Sequence, residues 1–153
     1  MRALVRVAAA LGVRLHATHL DEQTLGLYSP DEQRIYFDIR LTPNERRVTI
    51  AHELGHAYYG HDHSNPKHER QAEVFAAELL IDPEEYARLE RVDPDQHRLA
   101  DDLGVTVELI RTYERHCLER VRGVTYARPR MGAGQWEYRG VHPDAESAGT
   151  EPR

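Results

Sequence analysis

The sequence predicts an α+β domain: a small, mainly antiparallel sheet near the N-terminus, followed by a bundle of helices. Three observations predict it. Short alternating segments with good strand residues cluster between Val13 and Asp38. From Thr42 onward, apolar residues recur instead at helical spacing. Between the two regions, Thr42-Pro43-Asn44-Glu45 is a strong helix start, with Thr as N-cap, Pro in the first turn and Glu three residues after Thr.

Taken in order, Arg2 to Leu11 has helical spacing and Gly12 is a natural stop. Val13 to Ala17, Leu25 to Tyr28 and Arg34 to Asp38 are strand candidates, and Ser29-Pro30-Asp31-Glu32 reads as the hairpin turn between the last two. A helix through Arg46 to Tyr59 should end near Gly60, and a polar, His-rich loop follows. A second helix is expected from about Pro66 to Ile81, stopped by Asp82-Pro83, and a short third one to about Arg91. Asp95 to Leu103 and Thr106 to Arg120 read as two helices around Gly104. Together these make one domain over residues 1–126, with a helix-turn-helix-like pair at 95–120. Residues 127–140 are expected to be a linker with a short strand at Gln135 to Arg139, and the Gly/Pro/Ser/acidic stretch 141–153 a disordered tail.

Composition narrows the function classes. The 153 residues support one core but not two. Cys117 is the only cysteine, which excludes a disulfide framework within the chain and a cysteine cage for zinc. It also makes the cytoplasm the expected compartment. Met1 to Leu11 lacks the long apolar core of a signal peptide, and no stretch is apolar enough to cross a bilayer. A net charge of -6 argues against broad electrostatic binding to nucleic acid.

The run His52-Glu53-Leu54-Gly55-His56 carries the chemistry. On a helix, residues four apart point the same way, so His52 and His56 can offer two imidazole nitrogens to one metal ion. Glu53 leans in from the next position, close enough to take a proton from a water held there. At 100° per residue the two histidines lie opposite the apolar stripe Ile50, Leu54, Ala57 and Tyr58, so the helix does not need them for its own core face.

A third protein ligand is needed. In the pattern H-E-x-x-H-x-x-G-x-x-H a tight Gly turn brings it back, but here Tyr59 stands at the Gly position and Asp62 at the ligand position. Asp62, His61 and His63 remain candidates, in a loop whose composition suggests solvation. The helix from Pro66 offers a better one. Glu69, Glu73, Ala76 and Leu80 share a stripe that Ala72, Phe75 and Leu79 widen into a buried face. Carboxylates in line with core residues are costly without a cationic partner, which a metal and its histidines would supply. Glu69 can ligate directly, and Glu73, one turn on, can accept the free ring N–H of a bound histidine.

His52-Glu53-Leu54-Gly55-His56, followed by Glu69-Arg70-Gln71-Ala72-Glu73-Val74-Phe75-Ala76-Ala77-Glu78-Leu79-Leu80-Ile81 and preceded by Arg47-Val48-Thr49-Ile50-Ala51, resembles the ImmA/IrrE family of zinc metallo-endopeptidases. The resemblance covers about Leu11 to Tyr113. It implies a zincin-like fold in which His52, His56 and Glu69 bind zinc and Glu53 is the catalytic base. It also implies a protein substrate, a helix-turn-helix repressor, cut or displaced to switch on genes in a mobile element or stress response. The chain departs from the family twice: Glu73 stands where Asn or Asp is frequent, and Leu-Leu-Ile-Asp-Pro ends the second motif one residue later than the usual Leu-Leu-Met-Pro.

Three function classes follow. The first is a zinc endopeptidase. The second is a non-proteolytic, zinc-containing antirepressor that binds its partner without cutting it. The third is a DNA-binding regulator using Leu99 to Arg120, but Glu108 and Glu114 on the would-be recognition helix argue for packing rather than direct DNA contact.

Overall fold

The computed structural model describes residues 1–121 and 124–127. The expected linker beyond Ala127, the strand at 135–139 and the tail at 141–153 lie outside these residues.

Helix α1 (Arg2–Ala10) buries Leu4, Val7 and Ala8 along one face, and left-handed Gly12 (φ 69°) turns the chain into strand β1 (Arg14–Thr18). Strands β2 (Gly26–Ser29) and β3 (Arg34–Asp38) form the expected hairpin. The sheet order is β1-β3-β2, with β1 parallel and β2 antiparallel to β3. The sheet is therefore mixed rather than mainly antiparallel. The tight turn makes β2 and β3 neighbours, whereas the β1–β2 connection is too long for a two-residue hairpin and carries the chain past the slot that β3 then fills. Buried Asp38 pins this crossover. It accepts from Leu20 N–H at 2.9 Å and is gripped by Arg40, whose guanidinium also donates to the Leu20 carbonyl at 3.0 Å.

Helix α2 (Pro43–Tyr59) begins at the expected signal. Glu45 N–H donates to Thr42 Oγ1 at 3.3 Å, and Thr42 N–H donates to Glu45 Oε2 at 2.8 Å, closing the capping box. Its buried residues go beyond the stripe Ile50, Leu54 and Tyr58 to Thr49, Ala51, Glu53 and Gly55. The helix is covered on several sides at once, by α1, by the sheet and by helix α3 (Pro66–Leu80). Helices α4 (Pro83–Val92), α5 (Gln96–Leu103) and α6 (Val107–His116) complete the bundle.

The α5–α6 pair packs inward. Leu99, Leu103, Val105, Leu109, Ile110 and Tyr113 belong to the one core, and α6 lies against α3. Arg47 of α2 ties the turn down by donating to the Leu103 and Gly104 carbonyls at 3.3 and 2.6 Å. Helix α6 is shorter than periodicity predicts. It stops at His116, and Leu118–Val121 is strand β4, paired antiparallel with β5 (Val124–Ala127). The β-branched and aromatic run Val124-Thr125-Tyr126 supplies a pairing partner, which a helical reading of the preceding residues does not register.

Candidate metal centre

Helix α2 carries His52 and His56 one turn apart. Helix α3 can approach their face because position 55 is glycine: a β-carbon there would lie 2.8 Å from Ala72 Cα and 3.1 Å from Ala72 O. The two backbones nearly touch at this point, and Glu69, one turn before Ala72, comes level with the histidines. Asn65 caps α3 by accepting from His68 N–H at 2.9 Å. Glu69 thus sits in the first helical turn, where the helix dipole favours its charge. The Ser64 hydroxyl donates to Glu69 Oε1 at 2.6 Å and fixes the carboxylate.

The three side chains converge. His52 Nε2 lies 3.1 Å from both Glu69 Oε2 and His56 Nε2, and His56 Nε2 lies 3.4 Å from Glu69 Oε1. Ligand atoms around a tetrahedral zinc with bonds of about 2.0–2.1 Å are separated by about 3.3 Å; the two imidazole nitrogens stand near that spacing, and each has one of the two Glu69 oxygens at a similar distance. His52, His56 and Glu69 could hold one metal ion. Two imidazole nitrogens and a carboxylate form a donor set that suits zinc and leaves one position open.

Glu53 is only 9 % exposed and accepts the Tyr28 backbone N–H. Burial, then the negative charge of Glu69, pushes its carboxyl up to about 7. Strand β2 comes this near because residue 26 is glycine: a β-carbon there would lie 2.5 Å from Thr49 Cγ2 and 3.2 Å from Glu53 Cγ. Burial, then the charge of His52, holds His56 below the ordinary imidazole value, and burial followed by His68 does the same to His61. Burial alone would raise Glu69. The Ser64 hydroxyl and the charges of His56 and His52 outweigh it and hold the carboxyl below its ordinary value.

Two clefts meet at these residues. One, of about 320 Å³, lies between β2 and the 61–64 loop. The other, of about 500 Å³, runs from the 23–26 segment towards the start of α6. Gly26, His52, Glu53 and Glu69 line both.

The remaining candidates fall elsewhere. Asp62 and His63 are exposed and pair with each other at 2.6 Å on the rim. Glu73 is exposed in the larger cleft, and among the described residues it makes no hydrogen bond or ion pair with His52 or His56. Four residues carry Glu73 about 6 Å further along the helix axis than Glu69, although the two still line the same cleft. His61, expected to be solvated, is 8 % exposed and lies against His56, with Nδ1 2.9 Å from His56 Nδ1. His61 Nε2 in turn lies 3.0 Å from Gln71 Oε1. Sequence reasoning passed over Gln71 and Ser64. The one available signal was Gly60 directly before His61, a left-handed helix stop able to fold the chain back.

Among protein families, the Peptidase_M78 model, described as an IrrE N-terminal-like domain, matches residues 8–112. No curated protein matches the chain.

Proposed function

The chain belongs to the IrrE N-terminal-like peptidase family, and on that premise we propose that it is a zinc-dependent endopeptidase acting on a helix-turn-helix repressor protein. The observation that carries this reading is the convergence of His52, His56 and Glu69 from two helices, with buried Glu53 beside them. His52 and His56 would hold the ion through Nε2 and Glu69 through its carboxylate. Bound there, zinc would supply a Lewis acid for the peptide carbonyl and lower the pKa of water.

The protein's own groups do the rest. Glu53 takes a proton from the attacking water and delivers it to the leaving amine. The Tyr28 backbone N–H keeps the buried carboxyl oriented. Ser64 holds Glu69 in place. The two clefts give an extended peptide room on either side of the ligand set. The catalytic unit in this reading runs to about residue 126, and it works in the cytoplasm, where such repressors act. In this reading it needs no direct contact with DNA, since α6 carries Glu108 and Glu114 where a recognition helix would meet phosphates. Among the described residues, no helix is long and apolar enough to cross a membrane.

The test is incubation of the zinc-loaded protein with the repressor encoded beside its gene, followed by mass spectrometry. One discrete cut is expected, and Glu53→Gln should bind zinc yet cleave about 10²–10⁴-fold more slowly. A repressor released from its operator but intact under every condition would replace this reading with the non-proteolytic antirepressor.

A further inference from the structure

We propose that His61 is a positioning residue for His56, the middle link of a Gln71–His61–His56 hydrogen-bond relay that fixes which nitrogen of His56 faces the ligand cluster. The proposal rests on the reading that His52, His56 and Glu69 hold zinc.

Each link forces the next. Gln71 Oε1 can only accept, so His61 Nε2, at 3.0 Å, is the donor. A neutral His61 protonated at Nε2 has its lone pair at Nδ1. That atom lies 2.9 Å from His56 Nδ1, so His56 Nδ1 carries the proton and donates it. His56 Nε2 is then left with a free lone pair, and Nε2 is the atom that faces His52 Nε2 and Glu69. His61 is not itself a ligand, because both of its nitrogens are engaged and the one nearer the site meets the far edge of the His56 ring.

The fold holds His61 to this task. Gly60 adopts φ 66° and ends α2, with Gly60 N–H donating to the Ala57 carbonyl at 3.2 Å and His61 N–H to the His56 carbonyl at 2.9 Å. This paired closure, the Schellman motif, returns the chain over the last turn of the helix. His61 is thus bonded to His56 twice, through backbone and through ring. Its ring stacks on His68 with centroids 3.8 Å apart and 9° between planes, and lies near-parallel to Tyr59 at 5.6 Å. Most metal-bound histidines give their second N–H to a carboxylate or a carbonyl. Glu73, the carboxylate that sequence spacing nominates, is out of hydrogen-bond contact, and His61 occupies that place.

Zinc affinity, measured by competition with a chromophoric chelator, tests the relay without reference to hydrolysis. His61→Phe keeps an aromatic ring but cannot accept, and about 10–100-fold weaker binding is expected. Gln71→Met should weaken binding in the same direction, while Gln71→Glu, which retains an acceptor, should restore it. Long-range ¹H–¹⁵N correlation on the unsubstituted protein, with and without zinc, should find His56 protonated at Nδ1 and His61 at Nε2. That measurement decides the matter if the Phe variant fails to fold. A folded His61→Phe protein with unchanged zinc affinity, or a His61 protonated at Nδ1, would overturn the relay. A protein that binds zinc through these tautomers but cuts no repressor would overturn the peptidase reading alone.

Discussion

Gly55 and Ala72 bring α2 and α3 into backbone contact: a β-carbon at position 55 would stand 2.8 Å from Ala72 Cα. The approach sets the distance between the histidines on one helix and Glu69 on the other. Backbone atoms cannot swing aside as a side-chain end can, so Gly55→Ala must separate the helices. We expect a loss of about 1–3 kcal/mol of stability, the usual cost of overpacking. Zinc binding should weaken in parallel, because Glu69 moves while the two histidines stay together. Thermal unfolding and zinc titration check both. Unchanged zinc affinity in a destabilised variant would show that the helix spacing does not control the site.

Glu69 and Ser64 should differ in degree. Glu69→Ala removes one of the three proposed ligands and should abolish tight zinc binding. Ser64→Ala removes only the 2.6 Å bond that orients the carboxylate, so a smaller loss is expected, at most in the range of about 10–100-fold seen for groups that support a ligand. Chelation should lower the melting temperature of the unsubstituted protein, since an ion at about 100 times its Kd adds about 2.7 kcal/mol to the folded state. It should leave Glu69→Ala unmoved. A melting temperature insensitive to chelator in the unsubstituted protein would mean that these residues do not hold a metal.

Asp38 should govern part of the acid response. The Arg40 side chain, then the backbone N–H groups of Arg40 and Leu20, hold its carboxyl well below the usual range. A carboxyl lowered in the folded state adds stability that is fully present above its unfolded pKa of about 3.9 and is lost as pH falls towards the folded value. Asp38→Asn should therefore lower the urea midpoint at pH 7, and the gap to the unsubstituted protein should begin to narrow below about pH 4 and go on narrowing to the acid end. Urea unfolding across pH 2–8 reads this directly. A gap as wide at pH 2 as at pH 7 would assign the effect to the amide's own contacts rather than to the charge.

Much of the fold was legible, and each legible part is local. The start of α2 was written in Thr42, Pro43 and Glu45, whose bonds span three residues. The ends of α3 and α4 follow from prolines and caps in the same way. The parallel β1–β3 ladder was not legible, because alternation tells a strand from a helix but does not name its neighbour. The end of α6 at His116 was missed for a related reason: β4 exists through its pairing with β5.

The same division runs through the site. The sequence by itself determined that His52 and His56 face the same way with Glu53 beside them, since 3.6 residues per turn leave no other arrangement on a helix. It also placed Glu69 in the first turn of the next helix. Only the tertiary structure decided which of the nearby carboxylates and imidazoles comes within bonding distance. The contact at Gly55 and Ala72 admits Glu69, the rise of about 6 Å along the helix sets Glu73 further on, and left-handed Gly60 folds His61 back onto His56. Those choices depend on a few ångströms between elements, a distance set by packing and by one turn rather than by any periodicity along the chain.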